Sequence, residues 1–179
     1  MARTNAGSSK ASLTMARSDR GRGRPRGADV DELIEALGQL YGELDAAQEG
    51  ATCPASTECC RFARTRREPW VTRLEVIALE RARKQSTPSR GRPAPLSLPL
   101  FDPMKDEGLC PVLGADGRCT AYAWRPFGCR TFFCDRASVP FPLPHRDMLG
   151  YVRRIKELAE RMDEPDAAEG RPLRRALAR

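Results

Sequence analysis

Seven cysteines and a single histidine define the chemistry open to this 179-residue chain. The thiols fall in two tight groups. Cys53, Cys59 and Cys60 lie within CPASTECC, while Cys110, Cys119, Cys129 and Cys134 lie within LCPVLGADGRCTAYAWRPFGCRTFFC. No N-terminal apolar segment marks the chain for export, so the expected compartment is the cytoplasm, where disulfides do not persist. Clustered thiols in a reducing compartment point to metal binding or redox chemistry. Four thiolates in a tetrahedron make a closed zinc site, and four also hold an iron–sulfur cluster. Soft sulfur selects zinc or iron over magnesium or calcium. The second group supplies the best single tetrad. Cys59 and Cys60 are adjacent and cannot easily aim at one point, so they divide between two sites, or between a site and the core. His145 is the only histidine, which excludes zinc sites built on several.

These thiols need elements to hold them. Asp29 with Glu32 three residues on has the form of a capping box, and Val30, Leu33, Ile34, Leu37, Tyr41 and Leu44 then make one apolar helical stripe ending near Gly50. Thr72 and Glu75 form a second box, flanked by a hydrophobic staple of Val71 and Val76. That helix runs through Leu79, with Arg81, Arg83 and Lys84 suiting the negative end of its dipole. Asp116-Gly117 predicts a hairpin turn between LCPVL and RCTAY. A two- or four-residue loop places Cys110 and Cys119 on one face of the ribbon, and a three-residue loop separates them. Trp124, Phe127, Phe132 and Phe133 supply bulk for a core near the thiols. A last helix starts between His145 and Asp147, carries Met148, Leu149, Val152, Ile155, Leu158 and Met162 on one stripe, and stops at Asp163-Glu164-Pro165.

The net charge of +7 is unevenly spread. Residues 1–27 hold seven basic side chains against Asp19 alone, so the tail carries +6 and the remainder +1. Rich in Gly, Ser and Arg, residues 1–27 read as a disordered basic tail; Met15 within them is a second candidate start. Arg22-Gly23-Arg24-Pro25 resembles an AT-hook core, and the same tetrapeptide recurs at Arg90-Gly91-Arg92-Pro93 inside a Pro- and Ser-rich loop. No apolar run is long enough to cross a bilayer.

CPASTECC followed by a capped helix, then CPVLGADGRCTAYAWRPFGCRTFFC, resembles the YkgJ-like cysteine-cluster family of zinc- or iron-chelating domain proteins. That family carries CxxCxxCC, then a segment with CPxL, Gly-x-Cys, Tyr, Arg-Pro, Cys-Arg and Cys. The likeness covers about residues 50–135 and implies a metal-chelating module. The motif's second cysteine is Ser56 here, a poor ligand that leaves one position open, filled from outside, or never used. Arg125 and Arg130 fall on the Arg-Pro and Cys-Arg positions; they either stabilise thiolate charge or grip an anion, or else pair with nearby acids. Asp135 is an optional oxygen ligand.

The expected fold is α+β, a small loop-rich metal-stabilised domain of about three helices and a short β-hairpin. It spans residues 28–163, with 164–179 as a flexible C-terminal tail. The expected function is metal binding, with zinc or iron, or an iron–sulfur cluster, held by Cys53, Cys59, Cys60, Cys110, Cys119, Cys129 and Cys134. Two alternatives stand beside it. Flagellin lysine methylases resemble distant members of the same cysteine family, which implies an iron–sulfur enzyme, although no nucleotide fingerprint or phosphate loop is present. The paired RGRP segments suggest a DNA-associated adaptor.

Overall fold

A computed structural model of the chain describes residues 28–49, 57–86, 108–114, 116–131 and 143–178. The basic tail, both RGRP segments, Cys53, Ser56, Phe132, Phe133, Cys134 and Asp135 lie outside those residues. Helix α1 (Val30–Ala47) forms on the stripe read from the sequence and buries Leu33, Leu37, Leu40, Tyr41 and Leu44. Asp29 caps it by accepting from the Asp31 N–H at 2.9 Å, rather than through a reciprocal box with Glu32. A short helix α2 (Phe62–Thr65) and strand β1 (Trp70–Val71) lead into α3 (Arg73–Gln85). The Thr72–Glu75 capping box that starts α3 is complete, and Val71 and Val76 are buried in one cluster, as a staple requires. Further on come α4 (Phe127–Arg130), α5 (His145–Glu160), β2 (Arg171–Pro172) and α6 (Leu173–Leu177).

The three long helices α1, α3 and α5 pack around one core drawn from Leu33, Leu37, Tyr41, Leu74, Ala78, Ile155, Ala159 and Met162. A second cluster joins Phe62, Val71, Val76, Leu79, Cys110, Val112, Ala121 and Leu173. Trp124 packs against both, so one indole couples the helical core to the cysteine region. No helix among the described residues is long and apolar enough to cross a membrane.

The class is α+β as expected, but the two-stranded antiparallel sheet lies elsewhere. It pairs β1 with β2, setting Trp70 opposite Pro172 and Val71 opposite Arg171. The hairpin expected around Asp116-Gly117 is reduced to a single bridge between Leu113 and Cys119. Its ladder stops where Cys110–Leu113 close a turn, the Leu113 N–H donating to the Cys110 carbonyl at 3.0 Å, and the Thr120 carbonyl accepts from the Ser86 hydroxyl instead.

The flexible tail expected at 164–179 is also corrected. Residues 164–178 are folded against the body: Arg73 N–H donates to the Ala167 carbonyl at 2.9 Å, and Leu173 N–H to that of Pro69 at 3.0 Å. Leu173 itself is fully buried. Its apolar side chain fills a hole lined by residues far away in sequence, which the polar look of RPLRRALAR conceals.

Candidate metal centre

Cys59 and Cys60 sit in a 3-10 turn, Glu58–Cys60, entered through Thr57 at a left-handed φ of 56°. The chain then runs antiparallel to the segment that carries Cys110, with Arg61 bridged to Leu109. Phe62 N–H donates to the Gly108 carbonyl at 3.1 Å and Cys110 N–H to the Cys60 carbonyl at 2.8 Å. Gly108 allows this approach. Its φ is +56°, and a Cβ there would stand 3.2 Å from the Ala63 nitrogen. Two sequence-remote cysteine groups are thereby stitched together by backbone.

Cys119 arrives through its bridge to Leu113. Gly114 N–H also donates to the Arg118 carbonyl at 2.7 Å, leaving three positions between those paired residues. On a continuous ribbon this register would separate Cys110 from Cys119. Both thiols nevertheless line one cavity, because the turn at Cys110–Leu113 ends the ribbon first.

Cys129 rides on α4, and Glu75 sets where that helix begins. The Glu75 carboxylate accepts from the Phe127 N–H and the Tyr41 hydroxyl through Oε1, both at 2.9 Å. Through Oε2 it accepts from the Thr72 N–H at 2.8 Å and the Thr72 hydroxyl at 3.1 Å. One buried carboxylate thus joins α1, the start of α3 and the start of α4.

All five described cysteines, Cys59, Cys60, Cys110, Cys119 and Cys129, line a cavity of about 420 Å³. Phe62, Leu79, Val112 and Leu173 form apolar walls, and Arg118, Tyr122 and Arg125 also line it. A hydrogen bond to Cys60, with burial and the neighbouring sulfur, drives the Cys59 thiol well up from its ordinary pKa. Cys60 is pushed up to about 12, chiefly by its hydrogen bond to Cys110, which outweighs the opposing bond from Cys59. Burial raises Cys119 and Cys129, and the thiolate charges of Cys59 and Cys60 add to the rise at Cys129. Without a cation these groups stay protonated at neutral pH, since ionising one makes the next harder. A bound divalent ion reverses that balance.

The two arginines part company. Arg130 also lines the cavity but is only 4% exposed, and its side-chain hydrogen bonds among the described residues go to groups other than the thiols. Its Nη1 donates to Asp45 of α1 at 2.5 Å, Nε to the Arg125 carbonyl at 2.9 Å and Nη2 to the Ala123 carbonyl, while its guanidinium stacks 4.1 Å over Tyr41. Pairing with a nearby acid is therefore its role. Arg125 stacks 4.1 Å over Tyr122, stands 3.8 Å from Asp45, and keeps a buried Nε without a hydrogen-bond partner among the described residues. Its charge favours the ionised forms of Cys59 and Cys119.

Among the described residues, no three Cys, His, Asp or Glu side chains converge tightly enough to hold an ion. The donor set suits a soft metal, and Cys53 and Cys134 lie outside the described residues. His145 is exposed at the start of α5, away from the cavity lining. Sequence reasoning missed Asp45 and the wider reach of Glu75. For Glu75 there was a signal: an acid between Leu74 and Val76, on the buried side of a helix start. Asp45 carried none. In comparisons with protein-family models, with curated proteins and with solved structures, nothing matches this chain.

Proposed function

We propose that this chain is a metal-binding protein that holds zinc or iron, or an iron–sulfur cluster, through clustered cysteine thiolates. The observation that carries this reading is that five thiols from two groups about fifty residues apart line one cavity. Their raised proton affinities suit a site that ionises only when a cation enters. Cys53 and Cys134 belong to the same proposed ligand pool, as does the likeness to the YkgJ-like motif, in which Ser56 stands for a cysteine.

Elemental analysis of the full chain purified without oxygen tests the reading. Stoichiometric zinc, or iron with acid-labile sulfide and a brown colour, is the expected result. Protein that is metal-free, with its cysteines all rapidly alkylated while its circular dichroism stays native, overturns it.

One observation favours a second reading, an iron–sulfur enzyme related to protein lysine methylases. The cavity exceeds by far the roughly 30 Å³ that one water molecule occupies, and it falls within the range of about 300–1,000 Å³ typical of small-ligand sites. Colourless protein with bound zinc rejects this reading. The DNA-associated alternative depends on RGRP segments that lie outside the described residues.

A further inference from the structure

Backbone pairing sets Cys60 and Cys110 directly across from one another. The bridge at Arg61 and Leu109 is antiparallel, and the next pair outward is Cys60 with Cys110, joined by the 2.8 Å bond from the Cys110 N–H to the Cys60 carbonyl. A fully paired position, which exchanges two such bonds, holds its Cα atoms about 5.5 Å apart; here one is made, the Cys60 N–H turning back to the Thr57 carbonyl at 2.9 Å. Disulfides bridge about 4.4–6.8 Å. Both side chains also line the same cavity and meet in one apolar cluster. We propose that Cys60 and Cys110 are a redox pair that closes into a disulfide, withdrawing two thiols from the cavity.

The rival pairing is Cys59 with Cys60. Adjacent residues stand about 3.8 Å apart across a trans peptide, short of the span a disulfide favours. Cys110 is buried and Cys60 only half-buried, so an oxidant entering the cavity reaches Cys60 first. The oxidant class is a low-molecular-weight disulfide. The thiolate fraction of Cys60, which grows with pH, attacks it, forming a mixed disulfide and releasing one small thiol; Cys110 sulfur then attacks the Cys60 sulfur and releases the second. Two protein thiols are oxidised, one small disulfide is reduced to two thiols, and the two thiol protons pass to the leaving sulfurs.

The disulfide stands on geometry alone, whereas its consequence, release of metal, rests on the metal-binding reading above. Full-length metal-free protein is treated with oxidised glutathione, the remaining thiols are alkylated, and the peptides are mapped by mass spectrometry. A Cys60–Cys110 link is expected as the main product. Cys59→Ser should keep that link, and Cys110→Ser should instead leave a glutathione adduct at Cys60. A Cys59–Cys60 link, or a link from Cys60 or Cys110 to any other cysteine as the main product, overturns the pairing. The same treatment of zinc-loaded protein should release zinc in step with the link, read by a chromogenic chelator. Zinc retained after the link forms overturns the release step. Protein that forms the link but never takes up zinc overturns the metal reading and leaves the disulfide intact.

Discussion

Glu75 is 3% exposed and accepts from Tyr41, Phe127 and Thr72. Glu75→Ala strands two hydroxyls, of Tyr41 and Thr72, and two N–H groups, of Thr72 and Phe127, which costs about 3 kcal/mol or more. Urea unfolding should show that loss, and, on the proposed metal-binding reading, zinc affinity should fall with it because Cys129 rides on the helix whose first N–H is freed. Glu75→Gln keeps an acceptor but turns a donor toward one of its partners, so its cost should be smaller. The thiols make a second prediction at this scale. Cys59, Cys60, Cys119 and Cys129 hold their protons more tightly when folded than when unfolded. Above about pH 8.5 the unfolded chain ionises its cysteines while the folded metal-free chain keeps them protonated. The unfolded state then binds fewer protons, so stability falls as pH rises from about 8.5 toward 12. Tyr41, also raised by burial and by Glu75, adds to the decline at the alkaline end. Melting temperatures of metal-free protein across this range should drop steadily, and a flat profile contradicts the buried thiol cluster.

Helices α1, α3 and α5 are legible in the sequence because each is signalled locally. Thr72 and Glu75 form the box they spell, and the stripe from Leu33 to Leu44 is the buried face of α1. The stripe of α5 is legible too, although Leu149 on it is left half exposed, because the neighbouring helices cover only part of that face. What could not be read is the pairing of β1 with β2, since it joins residues about a hundred positions apart with no turn between them to mark it. Close packing at Gly128 of α4 is equally silent. A Cβ there would come 2.9 Å from the Pro69 Cβ, next to β1. Gly128→Ala should therefore push α4 off β1, costing about 1–3 kcal/mol and displacing Cys129. Gly42 of α1 is the control, with nothing within 4 Å of its would-be Cβ. Gly42→Ala should stabilise by about 0.5–1 kcal/mol. Paired denaturant curves with zinc titrations separate the two, and equal effects at both positions would remove the argument from packing.

At the scale of the whole molecule, the cysteine types and grouping were readable, but the means of bringing them together was not. Cys60 meets Cys110 through a bridge of two non-regular segments, and Cys119 joins them because the turn at Cys110–Leu113 ends the ribbon. Periodicity describes neither event. The C-terminal segment is the larger lesson, because it closes the wall of the cavity. Leu173 lines that space and packs in the cluster with Phe62, Val71, Leu79 and Cys110. Around it, Arg174 N–H donates to Glu68 at 2.6 Å and Arg73 pairs with Glu164 at 2.9 Å. The exposed ion pairs contribute little, whereas the leucine contributes much. Leu173→Ala should cost about 2–5 kcal/mol. A chain ending at residue 163 should lose more, since β1 is left without its only strand partner among the described residues and Val71, Val76 and Leu79 meet water. Its thermal transition should broaden and shift down, and alkylation of Cys60 and Cys110 in metal-free protein should quicken. A truncated chain that melts like the full one and guards its thiols equally well would mean that residues 164–178 are no part of the body that assembles the site.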